Sequence, residues 1–245
     1  MIKVAISGAC GKMGKRIASL ACDNKDLQVA IGLENNNHPD IGKVCEGLEI
    51  SSNAEKIAEC DCLIDFSTPQ ATIAYLEAAI KFKKPIIVGT TGIDAGGQKK
   101  IEEASKKIPV VFSPNMSVGV NLLFKLLKIA ASILEDYTVN IEEAHHIHKK
   151  DSPSGTAKKI VQIINSQGFN IKDEDVKATR EDEIVGDHKV VFESSVDKIE
   201  LSHSAKTRDI FAKGALLAAG WVVGKGAGLY SMDDVLFNLK EKGHD

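Results

Sequence analysis

The 245-residue chain lacks an excess of basic charge, with 31 Lys and Arg against 34 Asp and Glu and a formal net charge of -3. That balance excludes a general cationic field for nucleic acid or an acidic membrane surface, so any anion site must be local. No apolar run approaches the ~20 residues that span a bilayer, and the start lacks the basic-then-apolar pattern of an export signal. The expectation is a cytoplasmic protein without membrane or nucleic-acid partners. Cysteine is absent beyond Cys62. Cys10, Cys22, Cys45, Cys60 and Cys62 form an odd set without paired spacing, which fits reduced thiols. Cys60 and Cys62 are too close to ligate zinc alone, no second ligand pair stands at a usual distance, and no metal is expected. Internal repeats and low-complexity tracts are missing too. What is present is 43% hydrophobic residues, enough to bury the core of one large or two small domains.

Apolar runs at Ile2 to Ser7, Leu27 to Leu33, Asp61 to Phe66, Pro85 to Val88 and Val110 to Phe112 read as buried strands. Helical patterns at Lys12 to Cys22, Gln70 to Phe82 and Gly97 to Lys106 connect them. Five strands with crossover helices predict an α/β fold with a Rossmann-like doubly wound parallel sheet. After Pro114 the pattern changes to a long apolar helix, Val120 to Leu134, and an alternating strand, Tyr137 to Ala144. Two further strands, His188 to Ser194 and Lys198 to His203, have no helix between them, which predicts a smaller α+β domain with a mixed or antiparallel sheet. The segment from Asn170 to Asp187 reads as loop, and Ile210 to Val223 and Met232 to Leu239 as helices. The expected domains are 1–116, completed by 209–245, and 117–208. Ser113 to Met116 is a candidate hinge.

Gly8, Gly11 and Gly14 follow the first strand and open the first helix. There, missing side chains let backbone amides approach a phosphate. Glu34 ends the second strand, where a carboxylate accepts from ribose hydroxyls, and this context makes the glycine spacing a dinucleotide signature. Alone, Glu34 would read as a solvated loop acid. Asn35 follows it rather than an arginine, which favours NADH over NADPH, although Lys12, Lys15 and Arg16 supply positive charge. Phe66-Ser67-Thr68-Pro69 and Gly89-Thr90-Thr91-Gly92 end strands on the same sheet edge. They offer groups for the nicotinamide ribose and carboxamide, while Ser67 or Thr68 also suits a helix cap.

The most loaded segment runs Glu143-Ala-His145-His146-Ile-His148-Lys149-Lys-Asp151-Ser-Pro-Ser154-Gly155-Thr156-Ala157. Three histidines and two lysines beside a hydroxyl-glycine turn fit a catalytic and anion-binding loop better than a structural connection. Together with Gly8 to Gly14, Gly89 to Gly92, Ser113 to Asn121 and the Arg208 to Gly214 segment, this loop resembles dihydrodipicolinate reductase of lysine biosynthesis, across nearly the whole chain. The resemblance implies NADH or NADPH as cofactor on the dinucleotide-binding domain, 1–116, and a small cyclic dicarboxylate as substrate on 117–208, the domain that would also build a homotetramer. It implies His145 and Lys149 as catalytic residues, His145 being the proton donor, with His146, Ser154, Gly155 and Thr156 holding substrate. Gly8, Lys12, Met13, Gly14, Glu34, Phe66, Ser67, Gly89, Thr90, Thr91, Ser113, Asn115 and Met116 would contact the cofactor. The residue chemistry agrees: a dicarboxylate needs cations and helix amides, and a histidine can protonate the site that hydride transfer leaves electron-rich.

His148 reads as structural and Lys150 as solvated. Each histidine taken alone would more often be a satisfied structural residue, but the cluster argues otherwise. No carboxylate or cysteine is expected at ligand spacing from it. Two rivals remain. Another two-domain nicotinamide dehydrogenase predicts a different order of residues in the loop, and a non-catalytic NAD-sensing module has no use for His145 with Lys149.

Overall fold

The computed structural model describes residues 1–45 and 47–237. The chain divides into two compact units, Met1–Ser117 together with the segment from Phe211 onward, and Val118–Ile210. Among the described residues there are twelve strands and seven α-helices.

The first unit opens with β1 (Ile2–Ser7), α1 (Lys12–Ala21), β2 (Leu27–Leu33), β3 (Val44–Cys45), β4 (Leu48–Ser51), β5 (Cys62–Asp65), α2 (Pro69–Phe82), β6 (Ile86–Val88), α3 (Ala95–Ser105) and β7 (Pro109–Phe112). In β1, Val4 and Ile6 join one buried cluster and Ala5 the other, so both faces of the sheet are covered, as a doubly wound sheet requires. Helix α1 buries Gly14, Ile17, Ala18 and Ala21, the i, i+3, i+4, i+7 stripe of an amphipathic helix. Burying Ile17 completely is worth roughly 2 kcal/mol. Helix α2 starts where Thr68 accepts from the Ala71 amide with Pro69 at its first position, and stops at Lys83 in the left-handed region, φ 53.

The second unit holds α4 (Val118–Ile133), β8 (Thr138–His145), α5 (Gly155–Asn165), β9 (Lys177–Arg180), β10 (Gly186–Glu193) and β11 (Lys198–Ala205). Its sheet runs β11-β10-β8-β9, with β9 parallel to β8 and the other pairs antiparallel. Leu123 and Leu127 of α4, Ile160 and Ile164 of α5, and Ile141, Val190 and Phe192 of the sheet form one core. On α4, Leu122, Leu126, Ile129 and Ile133 remain substantially exposed.

The chain then returns to the first unit through α6 (Asp209–Val222), β12 (Gly228–Tyr230) and α7 (Met232–Phe237). The completed sheet has eight strands in the order β12-β7-β6-β5-β1-β2-β4-β3, not five. Strands β3, β4 and β12 are two to four residues long, too short for a periodic signal. The expected loop from Asn170 to Asp187 contains β9, whose alternation is weak because two of its residues are exposed and two half-buried. The last two positions of the helix expected over Met232 to Leu239, and residues 240–245, lie outside the described residues.

Candidate active site

In the first unit, Gly8 has φ +71, and a Cβ there would lie 2.2 Å from the Phe66 carbonyl oxygen; a Cβ at Gly14 would lie 2.2 Å from the Gly8 oxygen. Only glycine permits this approach. Helix α1 begins at Gly11 with no side-chain cap and no acidic residue in its first turn, and Lys12 stands there instead. A helix start without a side-chain cap or an acidic residue in its first turn, beside a glycine-rich loop, fits a dinucleotide pyrophosphate. Glu34 Oε1 accepts the Cys10 amide at 2.9 Å, so its carboxylate shapes the loop while keeping a second oxygen.

The neighbouring strand ends are tied by Asp65, a residue that the sequence reading passed over. It is fully buried and accepts from the hydroxyls of Ser7, Ser67 (2.6 Å), Thr72 and Thr90 (2.9 Å). Thr90 Oγ1 in turn accepts the Ser67 amide at 3.0 Å. One carboxylate thereby joins the ends of β1, β5 and β6. The Phe66 ring lies against Gly89, where a Cβ would meet it at 2.3 Å, and Thr91 is exposed. Ser113 Oγ donates to the Asn115 carbonyl at 2.8 Å, and Asn115 Oδ1 accepts the Ser117 amide at 2.9 Å. Met13 is partly buried against the core, and Met116 is 1% exposed within it, so the Met116 side chain is a packing element.

In the second unit, β8 alternates so that Ile141, Glu143 and His145 are buried. The Glu143 side chain is wholly buried. Its Oε1 accepts the Ser154 amide at 2.9 Å and Arg180 Nη2 at 3.1 Å, and its Oε2 lies 3.4 Å from His145 Nδ1 and 3.7 Å from His188 Nε2. Register explains the gathering: His188 on β10 stands directly opposite Glu143, and Arg180 on β9 directly beside His145, and cross-strand partners share a face. The expectation that no carboxylate stands near the histidines therefore fails. Glu143 lies two residues before His145, on the same face of an alternating strand, and the period-2 pattern contained that signal. His188 and Arg180 come from distant segments and left none. Arg180 supplies the positive charge at Glu143, and Arg180 Nη2 also holds the Asp151 carbonyl at 2.6 Å.

Burial alone would raise the Glu143 carboxyl, but the hydrogen bonds from Ser154 and Arg180 and the nearby His145 outweigh it and hold it below the usual carboxylate range. Burial lowers His145 below the usual imidazole value, against the opposing pull of Glu143, while Lys149 and Arg180 add to the lowering. Burial, then His145, pushes His188 down to about 4.

His146 follows the strand end half-buried, and His148 is exposed. Lys149 Nζ pairs with Asp151 Oδ1 at 2.8 Å. Ser154 is buried and caps α5 by accepting the Ala157 amide at 3.1 Å, while its Oγ meets His188 Nε2 at 3.3 Å. Both its polar groups thus serve the protein, and Gly155 and Thr156 open α5, whose first turn has no acidic residue although the Asp151 carboxylate accepts the Gly155 amide. Lys206 and Arg208 are exposed.

The family described as dihydrodipicolinate reductase, N-terminus, matches residues 2–116, and dihydrodipicolinate reductase, C-terminus, matches residues 119–236. The chain is 42% identical to the 4-hydroxy-tetrahydrodipicolinate reductase of Aquifex aeolicus, over 96% of this chain and 98% of that protein. It is 39% identical to the reductase of the same name from Syntrophotalea carbinolica, over 96% and 99%. Among solved structures, the dipicolinate-bound dihydrodipicolinate reductase from Paenisporosarcina sp. TG-14 superposes with a TM-score of 0.81 at 23% identity, covering 94% of this chain and 97% of that one. At that identity the likeness shows the fold.

Proposed function

The chain belongs to the dihydrodipicolinate reductase family, and from that premise we propose that it catalyses the NAD(P)H-dependent reduction of dihydrodipicolinate, derived from 4-hydroxy-tetrahydrodipicolinate, to tetrahydrodipicolinate in the diaminopimelate route to lysine. The observation that carries the reading is the buried His145 beside Glu143, with Lys149 in the loop that follows and α5 opening at the end of that loop.

The first unit takes the dinucleotide, with the pyrophosphate at Gly8 to Gly14 and the start of α1. The free oxygen of Glu34 takes a ribose hydroxyl, and the nicotinamide end lies at Phe66, Ser67, Gly89 to Thr91 and Ser113 to Met116. Bound there, NAD(P)H supplies the hydride. The second unit holds the substrate: Lys149 and His146 meet carboxylates, and the amides at Gly155 and Thr156 complete the anion site. Hydride addition to the ring double bond conjugated with C=N leaves electron density that must be protonated, and His145 delivers that proton. Burial lowers the proton affinity of His145 before substrate arrives. A dianion beside it acts in the opposite sense and raises that affinity, so proton uptake accompanies binding.

Finer assignments belong to the same proposal. Glu34 followed by Asn35 supports NADH over NADPH, the exposed apolar residues of α4 support a homotetramer, and five free cysteines support a cytoplasmic setting. The test is a spectrophotometric assay of NADH and NADPH oxidation with freshly formed dihydrodipicolinate synthase product. Oxidation that depends on this substrate is expected. Absence of oxidation by a protein that still binds NADH would refute the substrate while leaving the dinucleotide unit intact.

A further inference from the structure

Glu143 has no part in the chemistry described so far, yet it is the most heavily engaged buried acid of the second unit. It lies beneath both the proton donor and the anion-binding turn. We propose that Glu143 is a positioning residue that couples proton delivery to carboxylate binding, one oxygen orienting His145 and the other fixing the start of α5. This rests on the reading of His145 as proton donor.

The geometry carries the argument. Glu143 Oε2 and His145 Nδ1 face each other at 3.4 Å, and both are buried atoms without a hydrogen-bond partner. A buried imidazole nitrogen next to a buried carboxylate oxygen is most stable as N–H, which leaves Nε2 as the nitrogen that gains and loses the transferred proton. Nε2 lies against Gly186, where a Cβ would approach to 3.0 Å, so a side chain there would press on the reactive nitrogen. Glu143 Oε1 holds the Ser154 amide, which seats Ser154 as the cap of α5 and so sets where the Gly155 and Thr156 amides point. Movement of either partner is felt by the other through one rigid carboxylate. The charged and titratable groups facing His145 are Glu143 on its own strand, Arg180 on β9, His188 on β10, and Lys149 and Asp151 in the following loop. Of these, Glu143 is the largest influence that favours the imidazolium.

The experiment compares kcat/KM for substrate against pH in the full-length enzyme, Glu143→Gln and His145→Gln. Wild-type activity should fall as pH rises through the His145 titration, and His145→Gln should abolish that limb. In Glu143→Gln the amide oxygen can still accept from Ser154, but the charge favouring the imidazolium is gone. The limb should therefore move to lower pH by roughly one unit, with KM for NADH unchanged. A folded Glu143→Gln whose limb stays in place would overturn the proposal and make Glu143 a mere counter-ion of Arg180. A His145→Gln enzyme with full turnover and an intact limb would instead remove the proton-donor reading, a failure visible without any Glu143 variant. Should Glu143→Gln not fold, nitrogen NMR of wild-type imidazoles, assigned with His145→Gln, decides. An Nδ1–H tautomer at His145 supports the proposal and an Nε2–H tautomer overturns it.

Discussion

His188 predicts a measurable acid sensitivity. It is 5% exposed and its folded pKa is pushed to about 4, whereas an unfolded imidazole titrates near ~6.5. Between those values the unfolded chain binds the proton and the folded chain does not, so stability falls as pH drops. At pH 5 the unfolded imidazole is favoured by protonation about 30-fold and the folded one hardly at all, which corresponds to about 2 kcal/mol, rising towards ~3 kcal/mol below pH 4. Glu143 acts in the same sense only below its ordinary range near pH 4.5, so the window from pH 8 to 5 isolates histidine. His188→Gln keeps a polar group near Ser154 and removes the titration. Urea unfolding at pH 5, 6, 7 and 8 should be followed by far-ultraviolet circular dichroism, because the single tryptophan, Trp221, lies on α6 in the other unit. The wild type should lose about 2 kcal/mol more than the variant across that range. His145 and His203, also lowered by burial, largely cancel in the difference. Equal pH slopes in the two proteins would refute the reasoning.

Other outcomes follow from the same contacts. Gly14→Ala, whose Cβ would meet backbone at 2.2 Å, should weaken NADH binding at least ~10-fold by fluorescence titration; unchanged affinity would dismiss the glycine loop as the phosphate site. Asp65→Asn should cost about 1–3 kcal/mol of stability and raise KM for NADH, since an amide cannot accept from four hydroxyls; thermal melts and initial rates that match wild type would contradict the hub. Lys149→Ala should raise KM for substrate and lower kcat, yet change stability by under ~1 kcal/mol because its Asp151 partner is half-exposed; steady-state kinetics with an unaltered KM would sink the carboxylate role.

What was legible in the sequence was whatever leaves a local signature. The glycine turn between β1 and α1, the apolar runs of the parallel strands, and the alternation of β8 that buries Glu143 and His145 could all be read without a fold. What escaped depended on pairing. Strand β9 has no apolar face of its own and exists because Glu142 to His145 offer it an edge. His188 and Arg180 reach Glu143 only through the register of β10 and β9. Asp65 looked like one more position in the run from Asp61 to Phe66, and its importance lies in the hydroxyls of Ser7, Ser67, Thr72 and Thr90 that converge on it.

The first unit is built from both ends of the described chain, and this has a consequence for synthesis. When Ser117 leaves the ribosome, Val4, Ile6, Ile17 and Val111 still lack Ala212, Ala215, Ala219 and Val222, the α6 residues that cover them. The second unit, continuous from Val118 to Ile210, can close first. At ~5–20 residues per second, the nascent dinucleotide unit waits on the order of 5–20 s with α1 as the one helix on that sheet face, which makes that interval the stage at which chaperones would hold it.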